Sequence, residues 1–297
     1  MSGLARLFGA RNRLKRMAQF RFGRSGGWFS RSRSGVLSLA FVILLGQAGC
    51  AHHDEDLDNL PVETLYNKAV DAMAKRDYTE AATLYDHVDI DYPYSVWATK
   101  AELMIGFAKY QDSDYDAAVT ALNNFIQLHP GNRDTPYAYY LKAICYYEQI
   151  TDIGRDQQAT ADAQTALQAV IDRYPDTEYA RDARIKLSLT RDHLAGKEME
   201  IGRFYETHGQ YIAAIGRYNN VVTNYQTTTH VPEALARLVE SYVAVGLPDE
   251  ARKNAAVLGY NYPKSSWYND SYDLLVNKHL ITADATQRTS WFHAIFN

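Results

Sequence analysis

The sequence predicts an all-α protein: a solenoid of about five helix pairs forming a right-handed superhelix. Three observations carry that reading. First, apolar residues beyond position 61 recur at helical spacing, as in Leu65, Ala69, Ala72 and Met73, then Ala81, Leu84, Tyr85 and Val88. Second, one punctuation mark recurs. An aromatic residue followed by proline closes apolar stretches at "DYP" (91–93), "LHP" (128–130), "RYP" (173–175) and "NYP" (261–263), and "NYQ" (224–226) keeps the tyrosine with Gln226 in place of proline. Proline disfavours helix at the residue before it and cannot continue the hydrogen-bond ladder. Third, small residues return in phase with these marks.

The leader comes first in the chain. Nine Lys or Arg residues precede position 50, with no Asp or Glu among them. The ten apolar or small residues "VLSLAFVILL" (36–45) follow, then "GQAGC" ending at Cys50. A basic segment, a short apolar run and small residues before a cleavage point make a bacterial secretory signal over 1–49. The run is shorter than the roughly 20 residues that span a bilayer, which disfavours the alternative of a signal anchor. Met17 is an alternative start. "QAGC" resembles a lipobox, in which the cysteine is lipid-modified and becomes the mature N-terminus. Gln47 departs from that pattern, since an apolar residue usually stands there. Several acyl chains together anchor a protein stably, where one binds only marginally. A covalent lipid on Cys50 is therefore expected, with a flexible acidic linker over 50–60. Ala51, rather than Asp, favours the periplasmic face of the outer membrane.

Without the leader's share, 22 of the 31 basic residues face all 35 acidic ones. So acidic a body excludes nucleic acid as a partner, because neutralising phosphate needs a basic face. Cys145 has no second mature cysteine to pair with other than Cys50, and its apolar helical setting marks it as a buried small side chain.

The punctuation marks lie 37, 45, 51 and 37 residues apart. These intervals approach the 34-residue tetratricopeptide period, with insertions. The small position of each first helix (A) is Ala69, Gly106, Ala143 and Gly202. That of each second helix (B) is Ala81, Ala118, Ala214 and Ala251. The A–B turn carries Tyr78, Tyr115 and Tyr211, and Tyr85 and Tyr218 fill the next aromatic position. An aperiodic bundle is the alternative; recurrence in phase over four units disfavours it. Repeats one to three occupy 61–176. Repeat three carries an extra "TDIGRDQQAT" (151–160). Repeats four and five occupy 177–279, opened by a long helix over about 177–208 unless it breaks near Gly196. Such a helix would couple the two groups of repeats. The 280–297 tail, with Trp291, Phe292, Ile295 and Phe296 at helical spacing, is either a short docking helix or a frayed end.

No catalytic constellation is present in the sequence. "DSDYDAAVTALN" (112–123) has the first three aspartates of a calcium loop but Ala117 and Asn123 where glycine and glutamate belong. "HHDED" (52–56) reads as a solvated linker. No HExxH, GxSxG or CxxC occurs. The expectation is a non-enzyme without cofactor or metal. What remains is a peptide groove lined mainly by A helices. By repeat phase its candidates are Tyr66, Met73, Phe107, Tyr110, Tyr137, Tyr140 and Tyr147; for each, packing between repeats is the alternative.

"DYPYSVWATKAEL", "LNNFIQLHP", "VIDRYPDTEYARDARIKL" and "GQYIAAIGRYNNVVTNY", with the lipobox-like Cys50, resemble the BamD family over about 50–275. These are the tetratricopeptide lipoproteins of the β-barrel assembly machinery in Gram-negative outer membranes. The resemblance implies a scaffold at the periplasmic face of the outer membrane. It implies that repeats four and five hold the last POTRA domain of a BamA-type barrel protein. It also implies that repeats one to three receive unfolded outer-membrane precursors, and that accessory assembly lipoproteins join. In "YIAAIGRYNNVV", Arg217 matches the family arginine that meets an acidic residue on that POTRA domain. The rival role is a soluble periplasmic repeat adaptor in envelope or cell-division coordination; no heptad segment precedes the repeats to favour it.

Overall fold

The recurring aromatic residue sets the architecture. In the computed structural model, which describes residue 57 and residues 60–282, Tyr92, His129, Tyr174, Tyr225 and Tyr262 each cap the C-terminus of a B helix. All five share one conformation, with φ between −126° and −135° and ψ between 41° and 55°. Each N–H still reaches back to the last turn, and each carbonyl accepts the N–H of the residue three positions on. That pair of bonds closes the helix and reverses the chain. Tyr225 does the same although Gln226 follows it, so proline reinforces the stop and is not required for it.

Among the described residues the chain forms α1 (Val62–Lys75), α2 (Tyr78–Asp91), α3 (Val96–Gln111), α4 (Tyr115–Leu128), α5 (Thr135–Glu148), α6 (Gln158–Arg173), α7 (Glu178–Thr207), α8 (Tyr211–Asn224), α9 (Val231–Ala244), α10 (Pro248–Asn261) and α11 (Ser266–Asn277). Five A–B pairs run from α1/α2 to α9/α10, and α11 packs on α9 and α10 as a closing helix. The Pro263 mark announced α11, which the five-pair reading left out.

The A–B turn also repeats. Arg76, Ser113, Gly209 and Gly246 hold φ of 65° to 76°, always two residues before the B helix. Glycine takes this left-handed conformation freely, whereas an L-residue pays roughly 1–2 kcal/mol. In the first two repeats Asp77 and Asp114 accept the N–H of Glu80 and Ala117 to cap the helices that follow.

Repeat three departs from the rule through a long connection between α5 and α6. The extra segment is shorter than the sequence implies, because 158–160 belong to α6. The long helix is continuous: α7 has 30 residues and passes through Gly196 without a break. A Cβ at Gly196 would lie 3.3 Å from His230 Nε2 and 3.9 Å from Ile153, so the glycine sits where the repeat-three connection and the α8–α9 loop converge on α7.

The core is a row of clusters rather than one centre. Ala69, Ala81 and Tyr85 anchor the first, Leu122, Phe125 and Cys145 the next, Leu167 and Val170 a third, and Met199, Tyr218 and Leu235 the largest. Small residues set the A–B crossing. A Cβ on Gly106 would lie 2.8 Å from the Leu122 side chain, and one on Gly202 would lie 2.4 Å from the Tyr218 ring. Successive A helices α1, α3, α5 and α7 touch one another, while successive B helices make no comparable approach. The A helices therefore form the inner layer of the stack.

Candidate functional site

The inner layer has two parts of different chemistry. On α5 and the start of α7, aromatic side chains form a platform. Tyr179 lies 5.7 Å from Tyr137 and 5.3 Å from Tyr140, ring centre to ring centre. The Tyr140 hydroxyl donates to Asp182 Oδ2 at 2.6 Å. Lys186, one turn on from Asp182, pairs with it at 2.8 Å and stands 5.5 Å above the Tyr147 ring. Burial raises the Asp182 carboxyl, but the hydrogen bonds from Lys186 and Tyr140 outweigh it and hold the group below its ordinary value. Burial pushes the Tyr140 hydroxyl well up, and Asp182 adds to that, so it remains a donor.

The sequence-predicted groove residues divide. Tyr137, Tyr140 and Tyr147 share the platform, half-buried. Tyr66 sits apart on α1, 5.2 Å from the Tyr85 ring and 4.8 Å from that of Trp97. Met73 bridges the first two core clusters and keeps part of its surface. Phe107 and Tyr110 are corrected: they are 7% and 9% exposed and belong to the core between repeats two and three. Their helix face turns inward because Leu122 and Phe125 of α4 pack there, so period alone could not separate core from groove. Tyr137 is intermediate: its ring edges the platform, but its hydroxyl is buried without a partner among the described residues.

Tyr179, Asp182 and Lys186 were missed as site residues. The signal was present in "EYARDARIK", where Tyr179, Asp182 and Lys186 follow the three-and-four spacing of one helix face.

The second part spans α7, α8 and α9. Arg203 Nη1 pairs with Glu233 at 2.9 Å. Arg237 lies 2.9 Å from Glu240 and 3.7 Å from Glu206, with its guanidinium 5.5 Å from the Trp267 ring centre. The Tyr218 hydroxyl donates to Glu206 at 2.7 Å. Burial raises the Glu206 carboxyl above its ordinary value, against the opposing pull of Tyr218 and Arg237. On the other side of α7, Arg217 Nη1 lies 3.3 and 3.4 Å from the two oxygens of Glu198. The Arg217 side chain is 41% exposed. A guanidinium has five N–H donors, and among the described residues Glu198 engages it through Nη1 alone.

Cys145 is fully buried, and burial pushes its thiol up to about 12, which makes it inert at neutral pH. Cys50, the leader, the "HHDED" segment and the aromatic end of the tail lie outside the described residues. Among the described residues no helix is long and apolar enough to cross a membrane.

Residues 58–258 match the family described as YfiO, outer membrane lipoprotein. An outer membrane protein assembly factor BamD of Caulobacter vibrioides is 47% identical over 249 residues, covering 82% of this chain and 82% of that protein. The BamD of Rickettsia prowazekii is 45% identical over 243 residues, covering 82% of this chain and 97% of that protein. Among solved structures, a tetratricopeptide-repeat protein of Thermus thermophilus aligns at 17% identity and a TM-score of 0.34, over 74% of this chain and 100% of that one. The chain belongs to the YfiO/BamD family of outer membrane lipoproteins.

Proposed function

We propose that this chain is a scaffold of outer-membrane β-barrel assembly, lipid-anchored through Cys50 at the periplasmic face. The observation that carries the reading is the 47% identity to an outer membrane protein assembly factor over 249 residues. The fold supports a division of labour within it. Repeats one to three offer Tyr140 and Tyr147, with Tyr66 and Met73 further along, and the start of α7 completes that surface with Tyr179 and the Asp182–Lys186 pair. Such a surface suits an extended aromatic-rich precursor segment, since rings supply contact area and the polar groups supply direction. Repeats four and five offer Arg217, prepositioned by Glu198 and still exposed, to a carboxylate on the POTRA arm of a BamA-type partner. The continuous α7 holds the two surfaces at a fixed separation.

The test is co-purification of the tagged full chain from envelopes solubilised in mild detergent. Arg217→Glu is expected to lose the POTRA-containing partner while keeping its own thermal unfolding within a few degrees. Glu198→Gln, which releases the internal ion pair but keeps the arginine, is expected to retain it. Retention by Arg217→Glu defeats the assignment of Arg217. Absence of any barrel-assembly protein from the wild-type preparation defeats the scaffold reading.

A further inference from the structure

Repeats two and four place the same carboxylate in two different settings. Counting from the tight glycines Gly106 and Gly202, Glu102 on α3 corresponds to Glu198 on α7. Counting from Ala118 and Ala214, Ala121 corresponds to Arg217, and His129 to Tyr225. In repeat four, Arg217 supplies Glu198 with an internal cation at 3.3 Å. In repeat two the arginine position is an alanine, and Glu102 is met by His129 Nε2 at 2.9 Å. The preceding B helices widen the difference. Counting from Ala81 and Ala163, α2 carries Asp86 and Asp89 where α6 carries Gln168 and Ile171. Burial raises the Asp89 carboxyl above its ordinary value, and the nearby charges of Glu102 and Asp86 raise it further, with His129 opposing.

Ala121 leaves space as well as charge. A groove of about 480 Å³ runs between α2 and α4 over α3, with Ile105, Phe125 and Leu128 as its apolar part and Asp86, Asp89 and Glu102 along it. Lys109 lines it too, but among the described residues no ion pair joins Lys109 to these carboxylates. The next groove, between α4 and α6, is occupied from within. At the positions of Glu102 and Lys109, α5 has Tyr139 and Tyr146; the Tyr139 ring lies 5.5 Å from that of Tyr174, and Lys142 donates to Asn123 at 2.9 Å.

We propose that the α2–α4 groove docks a basic amphipathic helix of a partner protein. Its arginine or lysine takes the place that Arg217 fills in repeat four, and its apolar face lies on half-buried Ile105 and exposed Leu128, with the buried Phe125 ring forming the floor beneath them. Charge complementarity selects this occupant. A neutral apolar helix would cover Asp86 and Asp89 without supplying a cation, and an acidic one would be repelled. The groove belongs to the B-helix side, away from the aromatic platform, so both surfaces can be filled at once.

The probe is a fluorescein-labelled amphipathic peptide of about 20 residues, beyond the length at which isolated helices are marginal, with one arginine set between leucines on its apolar face. A matched peptide has glutamine for the arginine. Anisotropy against the full chain in detergent is expected to show the arginine peptide binding about tenfold tighter, about 1.4 kcal/mol. Glu102→Gln combined with Asp89→Asn is expected to erase that preference. Ala121→Arg, which writes the repeat-four solution into repeat two, is expected to block the arginine peptide while remaining folded by thermal unfolding. Equal affinity for both peptides, no binding of either, or unchanged binding to Ala121→Arg overturns the proposal. Binding lost instead on Tyr140→Ala assigns the peptide to the aromatic platform and also overturns it.

Discussion

Neighbouring A helices meet in two ways. From α1 to α7 they approach closely enough for side chains of adjacent helices to stack: Tyr66 meets Trp97, and Tyr137 and Tyr140 meet Tyr179. Between α7 and α9 there is no such backbone approach; Arg203, Glu206, Glu233 and Arg237 bridge the space, and Asp192 reaches the Thr229 N–H at 3.0 Å. Short-range ring contact presents area and tolerates different occupants. Ion pairs across a gap fix direction and tolerate fewer. The difference supports the proposed division of labour: contact area for an extended segment in one half, direction for one fixed partner in the other.

The tight glycines probe the contrast most strongly. Gly202→Ala drives a methyl into the buried Tyr218 ring, which Glu206 holds by its hydroxyl. Gly106→Ala meets Cγ and Cδ2 of Leu122 at 2.8 Å, a less severe approach to an aliphatic side chain than the one to the Tyr218 ring. Thermal unfolding should show a cost of about 3 kcal/mol for the first and about 1 for the second, the two ends of the overpacking range. Equal costs would mean the two crossings are equally yielding. Next comes the removal of one polar partner from each half. Arg237→Ala leaves Glu206, Glu233 and Glu240 without their shared cation and should cost about 2 kcal/mol, less than a fully buried pair because the arginine is partly exposed. Tyr140→Phe loses one hydrogen bond to a carboxylate and should cost about 1.5 kcal/mol by urea unfolding.

The smallest effect is one of sign. Asp182 is held below its ordinary 3.8, so its stabilisation is complete above that value and is lost as pH falls through the lower folded value. Glu206 is raised above its ordinary 4.5, so its contribution is complete below 4.5 and is lost as pH rises through the raised folded value. Between pH 6 and 3, Asp182→Asn should flatten the acid loss of stability, whereas Glu206→Gln should remove a gain. Identical pH profiles for both variants would erase the distinction between the halves.

The repeat phase was legible because it rests on groups with one physical solution: an aromatic cap, a left-handed turn and a small residue at a crossing. The length of α7 was legible, its continuity was not: the glycine at 196 reads as a break, and only the packing of His230 and Ile153 around it shows why a glycine stands inside an unbroken helix. Phe107 and Tyr110 were not, because core and inner surface occupy adjacent stripes of the same helix and only the neighbour's side chains decide between them. The Tyr140–Asp182 and Arg217–Glu198 pairs were illegible for another reason. They join positions 42 and 19 residues apart, and no local pattern reports such a meeting.

A stack of repeats behaves as a one-dimensional chain of units, each stabilised by its neighbours. Because α7 contributes the last layer of one group and the first of the next, no cut can be made between them without exposing a shared helix. Its 30 residues, about 45 Å long, make the centre the strongest link in the cooperative chain. Amide exchange should therefore fray inward from α1 and α11, with the middle of α7 the last backbone to open.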